Sequence, residues 1–138
     1  MSRIIALDVG DKRVGVALSD EGLTLSSPLQ TFERANGNAE KEILNLIKSH
    51  NIQTVVVGIP LSDNGEENAQ CEKVKTFSRR LEKRAKINMV YLDEYGSSVE
   101  AERRLKLARG RVIEKSLIDA ASAAIILQEY LHSMKGTS

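Results

Sequence analysis

The segment RIIALDVGDKRVGVALS, from Arg3 to Ser19, indicates how the chain begins to fold. Residues 3–9 form a nearly continuous apolar run, which is short enough to be a strand buried on both faces. Gly10-Asp11-Lys12 is typical of a turn, and apolar and polar residues then alternate with a period of two. This alternation predicts a second strand that pairs with the first as a β-hairpin.

The remaining elements are predicted by hydrophobic spacing. Leu23 and Leu25 indicate a weaker third strand, which Pro28 either ends or confines to a sheet edge. Helices and strands then alternate, a pattern that favours adding parallel strands to a sheet. We therefore expect an α/β fold with a mixed five-stranded sheet flanked by helices, in the order β-β-β-α-β-α-β-α. The later elements are predicted as a helix around 43–47, strands at 54–58 and 88–92, and helices at about 66–86, 97–108 and 116–134.

Length and composition limit the class of protein. The chain has 138 residues, 41% of them hydrophobic and 28% charged, which excludes a disordered tail protein and fits a single domain over 1–138. A lone cysteine, Cys71, excludes a disulfide framework and any multi-cysteine metal site. The N-terminal sequence lacks the layout of a signal peptide, and no apolar run is long enough to span a bilayer. We expect a cytoplasmic protein.

Charge is distributed unevenly along the chain. The net charge is +1, but residues 1–72 hold 6 basic and 11 acidic side chains, and residues 73–138 hold 14 basic and 8 acidic ones. This asymmetry is typical of a polyanion site. The basic cluster at 79–86 equally fits a solvated helix face. The cluster at 103–115 favours contact with phosphate; its basic residues are Arg103, Arg104, Lys106, Arg109, Arg111 and Lys115.

Three groups of carboxylates occupy unusual positions. Asp8 interrupts the apolar run of the first strand, where an ionised group costs several kcal/mol, in order of magnitude, without compensation. Capping of the turn or pairing with Lys12 or Arg13 would also explain it. Asp93 and Glu94 end a predicted strand, where α/β sheets build their sites, although polar loops are common there.

Asp119 lies near the start of an alanine-rich helix. Its spacing from Ser116 fits a capping box, while the small residues around it would let the helix approach the sheet and aim the acid inward. Carboxylates that converge from a strand, a strand end and a helix start would suit Mg²⁺ or Mn²⁺ better than zinc. The sequence therefore predicts a metal site at Asp8, Asp93, Glu94 and Asp119.

Four motifs in register resemble the YqgF/RuvX family, which comprises Holliday junction resolvase-like proteins and pre-ribosomal-RNA nucleases. The first is the segment from Asp8 to Asp20, and the second is Val57-Gly58-Ile59-Pro60-Leu61 with Gly65. The third is Asp93-Glu94 followed by Ser97-Ser98-Val99-Glu100-Ala101, and the fourth is Lys115 and Asp119 with the apolar helix after them. The resemblance covers essentially the whole chain.

The resemblance implies an RNase H-like nuclease domain over 1–138 and metal-dependent hydrolysis of phosphodiester bonds. The substrate class would be structured RNA, in 5′-end maturation of the small-subunit ribosomal RNA precursor, with branched DNA as the alternative. Asp8, Glu94 and Asp119 would be the catalytic acids. One departure is that Tyr95 stands where the family has an arginine after the Asp-Glu pair of the third motif, which bears on the strength of the activity.

The mechanistic hypothesis places the metal ion, or two ions about 4 Å apart, between these acids. Glycines at the turn and after the fourth strand would allow the backbone to approach a phosphate. Low aromatic content, 4%, argues against a stacking platform for single strands. The residues expected to hold phosphate or nucleic acid are Lys12, Arg13, Gly58, Arg103, Arg104, Arg109, Arg111 and Lys115.

Two other function classes remain open from the sequence. The glycine-rich hairpin also resembles the first phosphate loop of actin-like ATPases and sugar kinases, but those enzymes clamp the nucleotide between two domains. A nucleic-acid-binding module for ribosome assembly, with weak or no activity, is favoured by Tyr95 in place of the family's arginine.

Overall fold

The computed structural model describes residues 3–60, 68–93 and 115–136. Within 115–136, side chains are described for residues 118–134. Five strands form one mixed sheet. They are β1 (Ile4–Val9), β2 (Arg13–Ser19), β3 (Ser26–Glu33), β4 (Thr54–Ile59) and β5 (Asn88–Asp93). Their order across the sheet is β3-β2-β1-β4-β5. The first three strands pair antiparallel, and β4 and β5 add in parallel to β1. The predicted α/β architecture is confirmed.

In the described ranges, three helices cover the two faces of this sheet. They are α1 (Asn38–Ser49), α2 (Ala69–Arg84) and α3 (Lys115–Gly136), and a short 3₁₀ turn (Ala35–Gly37) precedes α1. The predicted helix at 97–108 lies outside the described residues. None of the described helices is both long and apolar enough to cross a membrane.

The alternation of side chains along β1 divides the core into two layers. Ile5, Leu7 and Val9 point to the α1 and α2 side, where they form the larger cluster. Ile4 and Ala6 point to the other side and pack against α3, in a cluster that includes Leu127 and Leu131. Both faces of β1 are therefore buried, as its continuous apolar run predicts.

The third strand begins later than the leucine spacing predicts. Asp20 Oδ1 accepts hydrogen bonds from the backbone N–H groups of Thr24 and Leu25, at 2.7 and 3.1 Å. Leu23 has a φ of 55°, in the left-handed region. This Asp20-centred turn removes both leucines from the ladder, and the strand starts only at Ser26. The prediction that Pro28 is confined to an edge is correct, since β3 is the outer strand beside β2.

The helix α3 is tied to the edge of the sheet by polar contacts as well as by its apolar side chains. Ser26 Oγ donates to the carbonyl of Ala124 at 2.6 Å, and the Ser26 N–H donates to Gln128 Oε1 at 3.0 Å. Gln128 Nε2 in turn donates to the Thr24 carbonyl at 3.0 Å. These bonds fix where α3 lies along β2 and β3, and hence where its first turns meet the hairpin.

Candidate functional site: an acid pair beside the hairpin turn

Asp8 lies on the α3 side of the sheet because it follows Ile4 and Ala6 at intervals of two residues along β1. It is partly exposed, and its directly opposed partner on β2 is Gly15. A polar residue at this position interrupts a face that is otherwise packed against α3. The position of α3 above it therefore decides what this carboxylate meets.

Gly15 allows α3 to approach the sheet at this point. A Cβ atom on Gly15 would overlap the backbone carbonyl of Asp119 and lie 2.8 Å from the Ala120 nitrogen. Only a residue without a side chain leaves room for the helix backbone here. The contact places Asp119 directly over the residue that pairs with Asp8, although the two acids are far apart along the chain.

The two carboxylates influence each other. Burial, and secondarily the negative charge of Asp119, raise the pKa of Asp8 from 3.8 to about 7. In the described part of the chain, no hydrogen-bond donor or cation pairs with the Asp8 carboxylate. Ionisation of Asp8 is therefore unfavourable at this position, and a bound cation would stabilise the ionised carboxylate.

Arg13 compensates the second acid and leaves the first uncompensated. Its Nε donates to Asp119 Oδ2 at 3.1 Å, and both side chains are largely shielded from solvent. The turn-capping and ion-pair explanations of Asp8 are not what the structure shows, because Arg13 binds Asp119 and the turn is closed by Gly10 N–H donating to the Arg13 carbonyl at 2.8 Å. The capping-box explanation of Asp119 also fails, because Asp119 is the fifth residue of α3 and its carboxylate contacts Arg13.

A pocket of about 270 Å³ opens beside the acid pair. It combines an anionic group on α3 with cations on and beside the β1–β2 turn, of which Lys12 is exposed. Such a mixture suits a metal ion together with a phosphate group. Its described lining residues are Gly10, Asp11, Lys12, Arg13 and Asp119.

Arg34 supports the turn and is not identified by the sequence analysis. Its Nη1 donates to the Gly10 carbonyl at 2.7 Å, and its backbone N–H donates to the Lys12 carbonyl at 2.8 Å. The guanidinium lies 4.9 Å from the centre of the Phe77 ring, in a cation–π contact. A single arginine after an edge strand carries no sequence signal for this role, which depends on where β3 ends beside the turn.

The remaining predicted site residues are not brought to the acid pair by the described structure. Asp93 ends β5 and is exposed. Because Val90 and Leu92 pack on the α3 side, the strand alternation places Asp93 on the opposite side from Asp8. Gly58 is buried inside β4, where it pairs with Leu92, so it is not itself open to a phosphate.

Several predictions fall on residues that the structure does not describe. No group of three metal-ligating side chains is found among the described residues, and Glu94 is not among them. For Lys115 only the backbone is described. The other predicted positions outside the described ranges are Arg103, Arg104, Arg109 and Arg111.

A model of one protein family matches residues 2–133, and its description is "RuvX: Holliday junction resolvase". The chain belongs to the RuvX family. A relative from Fusobacterium nucleatum named "Putative pre-16S rRNA nuclease" is 42% identical over 98% of this chain and 100% of its own length. A relative of the same name from Caldanaerobacter subterraneus is 38% identical over 98% of this chain and 99% of its own. Membership of the RuvX family confirms the prediction of a nuclease.

Solved structures give the same fold. RuvC from Thermus thermophilus, in complex with a Holliday junction substrate, superposes with a TM-score of 0.61 at 16% identity, over 98% of this chain and 97% of that one. The fowlpox virus Holliday junction resolvase gives a TM-score of 0.57 at 13% identity, over 95% of this chain and 99% of that one. At these identities the likeness concerns the fold alone, and it confirms the RNase H-like fold expected of a RuvX protein.

Proposed function

We propose that this RuvX protein hydrolyses phosphodiester bonds of structured RNA with Mg²⁺ or Mn²⁺ held by Asp8 and Asp119. The observation that carries the proposal is the placement of an uncompensated, partly buried Asp8 beside Asp119. Glu94, which directly follows β5, is proposed as the third acid. Asp93 is a weaker candidate, because it is directed to the other side of the sheet.

The donor set fits a hard divalent cation. Mg²⁺ is commonly bound by one or two carboxylates and otherwise keeps water or substrate phosphate as ligands, so Asp8 and Asp119 would suffice to hold it. One oxygen of Asp119 is engaged by Arg13, which leaves the other for an ion. When bound, such an ion activates water and stabilises the leaving oxygen.

The chain itself positions the substrate. Lys12 and Arg13 place two cations on the turn beside the acids, where they can bind the phosphate that is cleaved. Arg34 keeps the turn in place through Gly10 and Lys12. The basic residues proposed to follow the nucleic-acid backbone farther from the acids are Arg103, Arg104, Arg109, Arg111 and Lys115.

Ribosomal RNA is the favoured substrate because the relatives named for it match over nearly their whole length at 38–42% identity. The 5′ end of the pre-16S rRNA is the proposed processing point, which implies action in the cytoplasm. The description of the family model favours a second candidate, resolution of Holliday junctions in DNA. A further candidate is a module that binds ribosomal precursor particles without cleaving RNA. It would require that Asp8 and Asp119 do not catalyse hydrolysis.

The test compares the wild-type protein with Asp8→Asn on a pre-16S rRNA 5′ fragment and on a four-way DNA junction, with Mg²⁺, with Mn²⁺ and with EDTA. We expect the wild type to cut the RNA only with a divalent ion, and the variant to fall to the EDTA background. Glu129→Gln, which changes an exposed acid on α3, is the matched control and should cleave normally.

Each other outcome contradicts one part of the proposal. Cleavage of the junction alone would replace the RNA assignment by the DNA one. Undiminished cleavage by Asp8→Asn would remove Asp8 from the catalytic site. Tight RNA binding without cleavage under any divalent ion would favour the assembly module.

A further inference from the structure

The helix α2 carries a concentration of positive charge that the acid pair does not use. It contains six basic and two acidic residues, and its buried side is apolar, with Val74, Phe77 and Leu81 against the sheet. Arg79, Arg80 and Lys83 are exposed on the side away from this core. Spacings of four and three residues place Lys83 next to Arg79 and Arg80 on the helix surface.

These three cations have no acidic partner in the described structure, whereas their neighbours do. Lys73 lies 3.8 Å from Asp11, and Arg84 lies 3.5 Å from Glu40. Like charges at spacings of three and four residues destabilise a helix by a few tenths of a kcal/mol per pair. A helix that keeps such a group unneutralised has a surface complementary to a polyanion.

The first turns of the helix that carries this surface reach the rim of the pocket through Lys73. Asp11, which binds Lys73, lines the pocket together with Asp119. The start of α2 is also fixed at the same edge of the sheet, because Asn68 Nδ2 donates to the Pro60 carbonyl at 3.0 Å, directly after β4. From Lys73 to Lys83 the helix rises about 15 Å, which in a duplex corresponds to about four phosphates along one strand.

We propose that the α2 surface formed by Arg79, Arg80 and Lys83 is a second nucleic-acid site, which binds the phosphate backbone of a duplex arm flanking the cleaved position. The arm passes from the acid pair over the β1–β2 turn to Lys73 and then along α2. This inference rests on the proposed function, because that function makes nucleic acid the ligand. Its contacts are to phosphates, since the three side chains that form the surface are all cationic.

The experiment measures equilibrium binding of a hairpin RNA to the full chain in the cleavage-deficient Asp8→Asn background, from 50 to 300 mM salt, with Ca²⁺ and with EDTA. The test variant is Arg79→Gln/Lys83→Gln. The matched control is Lys41→Gln/Lys48→Gln, which removes two exposed lysines from α1, a helix with two basic and two acidic residues. Thermal unfolding of each variant shows whether it is folded.

We expect the test variant to bind roughly ten- to a hundredfold more weakly at 100 mM salt, with the slope of log K against log salt reduced by about 2. The control should keep the affinity and the slope. Arg80→Glu should weaken binding as well, because it places a negative charge in the middle of the surface.

Failure of this inference is distinguishable from failure of the nuclease proposal. An unchanged slope and affinity in the folded test variant, beside metal-dependent cleavage by the wild type, would overturn the α2 site alone. A reduced slope without cleavage by the wild type would support the α2 site and overturn the nuclease. An equal loss in the α1 control would also overturn the α2 site, because the effect would then report net charge only.

Discussion

A single arginine gives the two acids different electrostatic environments. Asp119 has Arg13 at 3.1 Å, while Asp8, in the described part of the chain, has only another carboxylate nearby. Asp8 therefore retains a proton up to about pH 7 when no metal is bound, because burial and the second negative charge oppose its ionisation. The stability of the metal-free protein should reflect this cost.

The raised pKa of Asp8 should make the stability of the metal-free protein depend on pH. The folded chain holds a proton on Asp8 that the unfolded chain releases near its ordinary pKa of 3.8, so the free energy of unfolding should fall as pH rises from about 4 to about 7. At 1.36 kcal/mol for each pKa unit, the loss is on the order of 4 kcal/mol. Asp8→Asn removes it and should be more stable than the wild type at pH 8, with the difference shrinking towards pH 4.5.

Urea unfolding in EDTA at several pH values measures this difference. Glu129→Gln provides the control, since it removes an exposed acid from α3 and should not show the same pH trend. An Asp8→Asn variant that is less stable than the wild type at pH 8 would show that the carboxylate has a compensating partner.

At the scale of elements, the decisive contact is that between α3 and β2. The helix backbone rests on Gly15 at Asp119 and Ala120, and the hydrogen bonds of Ser26 and Gln128 fix it farther along. Displacement of the first turns of α3 would separate the acid pair without altering either acid. Substitution of Gly15 on β2 is therefore expected to lower the rate of cleavage as strongly as substitution of a proposed metal ligand does.

We expect Gly15→Ala to cost about 2–3 kcal/mol of stability, the upper part of the usual range for overpacking, and to lower cleavage more than this destabilisation explains. Its Cβ would meet backbone atoms, which cannot rotate away. Gly22→Ala is the matched control, because its Cβ would have its nearest neighbour at 3.6 Å, an ordinary contact. Denaturant unfolding and cleavage rates below the unfolding transition measure both effects, and equal behaviour of the two variants would contradict the role of Gly15.

How far the sequence predicts the structure depends on how local the signal is. The periodicity of residues 3–19 predicts β1 and β2, and the hydrophobic spacing within about 66–86 predicts α2, since each pattern lies within one element. The start of β3 is missed because a side chain, Asp20, closes a turn with Thr24 and Leu25. Leucine spacing carries no information about that bond.

The candidate site is less accessible to sequence reasoning than the fold. Asp8 and Asp119 are recognisable as unusual, but the pairing of Arg13 with Asp119 and the support from Arg34 depend on tertiary placement. The orientation of Asp93 away from Asp8 follows only when the neighbours of Val90 and Leu92 are known. The sequence marks Asp8 and Asp119 as acids in unusual positions, and the register of the sheet decides which acids lie close together.

At the scale of the whole molecule, metal binding should be linked to folding. The ion proposed to bind Asp8 and Asp119 would join β1 to α3, which are a strand of the sheet and the helix that covers one of its faces. Because the unfolded chain keeps the two acids apart, binding should stabilise the native state.

We expect Mn²⁺ at a hundredfold excess over its dissociation constant to stabilise the wild type by about 2.7 kcal/mol, or roughly 5–10 °C in Tm. Asp8→Asn should lose this increase, and Glu129→Gln should keep it. Differential scanning calorimetry with and without the ion gives the comparison. The same increase in Asp8→Asn would mean that the ion binds elsewhere on the chain.

The contact of Asp119 with the hairpin has a consequence for protein synthesis. The strand with Asp8 leaves the ribosome long before α3, and until α3 has emerged and docked on Gly15 the nascent chain holds only one member of the acid pair. Under the proposed function, a growing polypeptide of this kind would lack the assembled acid pair and would not cleave the ribosomal RNA that surrounds it. The proposed cleavage activity would therefore arise only after α3 has been translated and has docked.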